Sequence, residues 1–116
     1  MNRRRQTVPV HAYVFDVLLR DLVGHDKHPA AFLVYLHLYA CAGRRRWRPV
    51  QASLRDIADA TGLSKSAVQT AILALRRRQL LETLQMPFST ATPRHRVFRP
   101  FVPSSRIRDY DQESIS

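Results

Sequence analysis

Residues 65–77 constrain this chain more than any other stretch. Wound at about 100° per residue, Ala74, Ala67, Ala71, Leu75, Val68 and Ile72 fill an arc from about 180° to 340° measured from Lys65. Lys65, Arg76, Gln69, Leu73, Ser66, Arg77 and Thr70 occupy the rest of the circle. A helix divided in this way must bury its apolar face against neighbouring elements. Its opposite face carries no acid, because no Asp or Glu lies between Asp59 and Glu82. A merely solvated face usually mixes both signs of charge.

The punctuation around this helix predicts a partner before it and a hairpin after it. Ser53 is placed to cap a helix, with Asp56 three residues on to complete a box and meet the helix dipole. Thr61-Gly62-Leu63 breaks the pattern, and Gly62 supplies the positive φ a tight turn needs. Ser64 then caps the helix that continues to Arg78. Leu80 to Gln85 and Arg94 to Phe101 read as two strands, with Phe98 and Phe101 as core anchors. Met86 to Pro93, which holds Pro87 and Pro93, cannot be helical throughout.

Upstream, Pro9 keeps Gln6 to Val10 extended. A first helix is expected from Ala12 to Val23, stopped at Gly24. Pro29 suits the first position of a second helix ending near Gly43, and Val50 to Ala52 form a short strand. This order divides the chain into a basic extended arm (1–10), a folded domain (11–102) and an exposed tail (103–116).

Of 19 basic residues only Lys27 and Lys65 are lysine, and 9 acids leave a net charge of +10. A chain this basic either seeks a polyanion or tolerates strong self-repulsion. Arginine richness fits phosphate and guanine contacts, but it equally follows from a GC-rich genome, so placement matters more than number. One cysteine excludes an internal disulfide framework and any multi-Cys zinc site. The longest apolar stretch, Pro29 to Ala42, is broken by His37 and falls short of the roughly 20 residues a bilayer demands. Asp16, Arg20 and Asp21 interrupt what would be a signal-peptide core. The expectation is a cytoplasmic, nucleoid-associated protein without a membrane partner.

The stretch Leu54 to Leu75 has Ala58 where two helices cross, Gly62 in the turn and Leu63 plugging the space between helices. Val68, Ile72 and Leu75 lie on the inner face. It resembles the helix-turn-helix of winged-helix bacterial regulators of the MarR- and GntR-like superfamily, and the resemblance covers residues 29–101. It implies a mainly α fold with a small β-hairpin wing, a helix-turn-helix over 53–78 and a wing over 80–101. It further implies double-stranded DNA as partner, with helix 64–78 in the major groove.

The residues expected at DNA follow from that placement. Ser64, Lys65, Ser66, Gln69, Thr70, Arg76 and Arg77 face outward; Gln pairs with adenine, Lys with guanine, and a Thr or Leu methyl meets the thymine methyl. On the wing, alternation puts Arg94 and Arg96 on one side and His95 on the other. The two arginines are expected at backbone or minor groove, against the alternative of a hairpin edge kept charged to prevent aggregation. Arg44, Arg45 and Arg46 form a basic loop able to straddle phosphates, with Trp47 packed on the core. Arg3 to Arg5 are either a minor-groove arm or a solubilising start. One departure from the family pattern is Gln79, which stands where many relatives carry Gly. A left-handed Gln is costly, so the helix is expected to end differently. Arg76 to Arg78 also suit a helix C-terminus electrostatically.

No enzyme, cofactor or metal is expected. His25, His28, Asp26 and Cys41 do not present four ligands at metal-site spacing, and His28 before Pro29 suits a cap. His37 and Cys41 are four apart with Arg44 close, but a buried inert thiol is the commoner outcome. A chain with three glycines has no glycine-rich phosphate loop.

The first two helices are apolar almost all round, which predicts a homodimer built on helix 12–23. The function expected is a dimeric transcriptional repressor acting on a near-palindromic operator. The alternatives are a phage or plasmid replication or partition factor and, in another class, a protein-interaction adaptor. No residue pattern names a small-molecule effector.

Overall fold

A computed structural model of the chain describes residues 7–84 and 92–103. The architecture is that of a winged helix-turn-helix, mainly α with a small antiparallel sheet. The expected basic arm at Arg3 to Arg5, the turn of the wing and the tail beyond Pro103 lie outside the described residues.

The first helix differs from its expectation. It consists of two π-helical segments, Val14–Leu18 and Arg20–His25, with the Leu19 N–H bonded to the Val14 carbonyl and the Asp26 N–H to that of Asp21. Bonds from residue i to i+5 make a wider turn than the 3.6 residues of an α-helix. Val14, Leu18 and Leu22, spaced by four, therefore stay close to one line, and all three are buried. Gly24 lies inside this helix rather than ending it. The left-handed residue that reverses the chain is Lys27, at φ 54°.

Helix α1 (Pro29–Arg44) starts with proline at its first turn, capped by His28, whose Nδ1 accepts the Ala31 N–H at 3.3 Å. Its buried face, Phe32, Tyr35, Leu38 and Tyr39 among others, forms the centre of the core. At its end the N–H groups of Arg45 and Trp47 both donate to the Ala42 carbonyl, at 2.9 and 2.7 Å.

Helices α2 (Leu54–Thr61) and α3 (Lys65–Arg77) carry the expected signals. The Ser53 hydroxyl accepts from the Asp56 N–H at 3.0 Å, and the Asp56 carboxylate accepts from the Ser53 N–H at 2.9 Å. That reciprocal box satisfies two orphan donors at once. Gly62 takes φ 80°, and Ser64 accepts the Ala67 N–H at 3.1 Å to open α3. Val68, Ala71, Ile72 and Leu75 are buried, as the helical period requires.

The sheet joins β1 (Val50–Gln51), β2 (Leu81–Leu84) and β3 (Arg94–Val97) in the order β1-β3-β2, antiparallel throughout. Val50, Leu81, His95 and Val97 face the core, while Gln51, Glu82 and Arg94 are exposed on the other side. The third strand stops at Val97, short of the expected Phe101. The Phe98 N–H still reaches the Leu80 carbonyl, but its own carbonyl accepts the Tyr35 hydroxyl at 2.8 Å, and Pro100 has no N–H to offer. Phe101 leaves the sheet to stack on His11 at 4.2 Å, with Tyr13 and Tyr39 beside it.

Candidate nucleic-acid interface

Helix α3 presents Ser64, Lys65, Ser66, Gln69, Thr70, Arg76 and Arg77 to solvent together. Local bonding divides their roles. The Ser64 hydroxyl is committed to the helix cap, and the Thr70 hydroxyl donates to the Ser66 carbonyl at 3.0 Å. Thr70 therefore turns a methyl and an acceptor outward. Lys65, Gln69, Arg76 and Arg77 have no side-chain partner among the described residues. Leu73, 44% exposed, lies in the middle of this otherwise polar face.

The arginine run that ends α3 divides by function. Arg78 turns back to grip Asp26 with two bonds, Nε at 2.9 Å and Nη2 at 2.7 Å, and passes 3.9 Å from Asp21. The guanidinium, helped by His25, holds the Asp26 carboxyl well below the usual carboxylate range. Arg78 thus ties α3 to the turn after the first helix and leaves Arg76 and Arg77 outward. This bond spans 52 residues, and no local pattern announces it.

A cleft of about 210 Å³ separates α3 from the wing, lined by Gln69, Leu73 and Arg76 on one side and Thr83, Pro93 and His95 on the other. His95, 2% exposed, bonds through Nε2 to the Ala52 carbonyl and through Nδ1 to the Thr83 hydroxyl, each at 3.1 Å. A carbonyl only accepts, so Nε2 carries the proton and the bare Nδ1 of the neutral ring accepts from Thr83. Burial pushes its pKa down, the Ala52 bond opposes this, and nearby Arg76 adds to it. One imidazole thereby fastens both wing strands to the entrance of α2.

The remaining arginines fall elsewhere. Arg94 is exposed on the sheet face turned away from α3; Arg96, on the same face, is half-buried, 3.9 Å from Glu82. Arg44, Arg45 and Arg46 are exposed at the end of α1. Trp47 packs edge-on against Tyr39 at 4.8 Å and lies under the Arg99 guanidinium at 3.9 Å. His25 bonds to Asp26, and His37 contacts Cys41 Sγ at 3.7 Å. Burial pushes the Cys41 thiol up more than Arg44 and Arg45 draw it down, so it stays protonated at neutral pH. Among the described residues no three His, Cys, Asp or Glu side chains group as metal ligands, and no helix is long and apolar enough to cross a membrane.

No curated protein and no solved structure matches the chain. A family model described as a helix-turn-helix domain matches residues 26–81, from the turn that holds Asp26 to the first residue of β2. That span contains α2, Gly62 and α3, and a helix-turn-helix domain suggests DNA binding.

Proposed function

We propose that the chain is a sequence-specific, double-stranded DNA-binding transcriptional regulator of the MarR- and GntR-like kind, acting as a dimeric repressor by occupying its operator. The carrying observation is the exposed, acid-free face of α3. Inserted in a major groove, it offers Gln69 to adenine, Lys65 to guanine, and the Leu73 and Thr70 methyls to thymine. Arg76 and Arg77 add charge at the helix end, and Arg94 on the wing stem meets backbone phosphate.

The dimer reading is supported by Phe15, Leu19 and Leu33, which are 47%, 37% and 44% exposed. Phe15 packs edge-on against the buried Phe32 at 6.3 Å, which seats the apolar surface of the first helix beside α1. A two-fold interface on it pairs two reading helices about one helical turn, roughly 34–36 Å, apart. Sedimentation at micromolar concentration gives twice the 13.4 kDa chain mass if this is right, and a monomer mass removes it.

The test of the main reading is selection of bound sequences from a random duplex pool, followed by Gln69→Ala. The variant loses affinity for the selected sequence and little for random duplex. Equal losses on both would contradict base reading by α3.

A further inference from the structure

On the sheet face turned away from α3, arginines from two distant parts of the chain converge. The β1–β3 register sets Gln51 opposite Arg94, and Arg45, Arg48 and Pro49 close a hollow of about 190 Å³ around them. An adjoining hollow of about 390 Å³ is lined by Arg44, Arg45, Arg46 and Arg48 alone. Among the described residues no carboxylate comes within ion-pair distance of any of these five arginines. Guanidinium groups gathered without counter-charge repel one another, so the arrangement costs stability unless an anion enters.

The backbone that gathers them is strained. Arg46 and Trp47 take φ 57° and 66°, two successive left-handed residues that each carry a Cβ. What holds them there is the Trp47 ring, wedged between Tyr39 and Arg99, together with the paired N–H bonds to the Ala42 carbonyl. The loop is therefore fixed in advance of binding, which lowers the ordering cost of any ligand it takes. A helix C-terminus attracts cations, and that accounts for Arg44 and Arg45. It does not account for Arg48, beyond the helix, or for Arg94, which arrives from β3.

We infer that Arg45 and Arg48 join Arg94 to extend the backbone-phosphate contact of the wing stem, gripping DNA that flanks the stretch read by α3. This rests on the DNA-binding reading above. The hollow lies across the sheet from α3, so it does not share the groove that α3 occupies. Arg94 belongs to the wing stem, which places the contact where the duplex continues past the wing. The planar forks suit phosphate oxygens, and among the described residues the only other polar side chain in the hollow is Gln51, so the contact adds affinity without reading bases.

The experiment measures affinity against salt on two duplexes. One is the selected site alone, about 20 base pairs so that both half-sites of a dimer are present; the other carries a further turn on each side. Each phosphate engaged adds about 0.9 to the slope of log K on log salt. Wild type is expected to show a steeper slope on the longer duplex, and Arg45→Gln with Arg48→Gln together to remove about 1.8 per bound protomer, about 3.6 for a dimer, from that slope while leaving the short duplex unchanged. Lys27→Gln, a single-charge control outside the cluster, sets the loss caused by net charge alone. Equal slopes for wild type on both lengths, or equal losses by the double variant on both, overturns the flanking contact and leaves the reading helix standing. Absence of salt-dependent binding to either duplex overturns the DNA-binding reading itself. Because these arginines are exposed and relieve repulsion when removed, a melting temperature at or above that of wild type checks that the double variant folds.

Discussion

Replacing Gln79 by glycine should stabilise the protein. Gln79 sits at φ 59°, immediately after the capping residue Arg78. Its N–H donates to the Arg76 carbonyl at 3.0 Å and the Leu80 N–H to the Leu75 carbonyl at 2.9 Å, with both leucines buried. These are the two bonds of a Schellman ending, with apolar residues at both ends of the longer one, and its left-handed position is usually filled by glycine. The chain thus makes the expected turn into the wing despite its residue, against the different ending that the glutamine predicted. A left-handed residue with a Cβ costs about 1–2 kcal/mol, of which glycine's extra freedom in the unfolded chain takes back roughly 0.5–1 kcal/mol. The net gain is about 0.5–1 kcal/mol, or roughly 2–8 °C in melting temperature for a domain of this size. Thermal unfolding followed by circular dichroism, with Gln79→Ala alongside, separates conformation from side chain. Alanine keeps the Cβ and should gain nothing. A glycine variant that melts at or below wild type, or an alanine variant that gains equally, refutes the reasoning.

Three other outcomes follow from the same structure. Ser53→Ala removes the acceptor from the box that opens α2 and should cost about 1 kcal/mol by denaturant titration. Substituting uracil for thymine across the selected site removes methyl groups, each worth about 0.8 kcal/mol or roughly fourfold in affinity when it meets an apolar side chain. Leu73→Ala should lose part of this sensitivity and keep the part due to Thr70, and equal sensitivity in the variant would place Leu73 away from the bases. For His95, burial depresses the folded pKa below 6.5, so the unfolded chain takes up the proton first. Stability is therefore intact above pH 6.5 and shrinks as pH falls toward and through the folded value. His37, also depressed by burial, shares the effect. Melting temperatures that rise on acidification below 6.5 would contradict the assignment, and His95→Asn should flatten the slope.

The parts of the fold legible in the sequence are those whose signals are local. Ser53 with Asp56, Gly62 and Ser64 lie within a few residues of the groups they satisfy, and their placement around α2 and α3 could be read directly. The outward face of α3 was legible for the same reason, since helical period alone sorts Gln69 from Ile72. Positive φ at Lys27, Arg46, Trp47 and Gln79 was not legible, because none of these residues advertises it. The grip of Arg78 on Asp26 and the Tyr35 bond that ends β3 join residues 52 and 63 apart, so they exist only once the core has assembled. The widened first helix is hidden likewise: a spacing of four fits an α-helix nearly as well over two turns. The basic run of Arg44 to Arg46 was visible as composition, but the arrival of Arg94 beside Arg45 depends on strand register.

The strand order bears on how the protein is made. Both β1 and β2 take their hydrogen bonds from β3, the last of the three to be synthesised. While the ribosome is still adding the residues before Arg94, α2 and α3 have all their own bonds within reach, but the two earlier strands stand with open edges. Vectorial synthesis therefore delivers α3 before the sheet beside it is complete. A nascent chain stalled short of Val97 would be helical, without its wing, and exposed to edge-to-edge association.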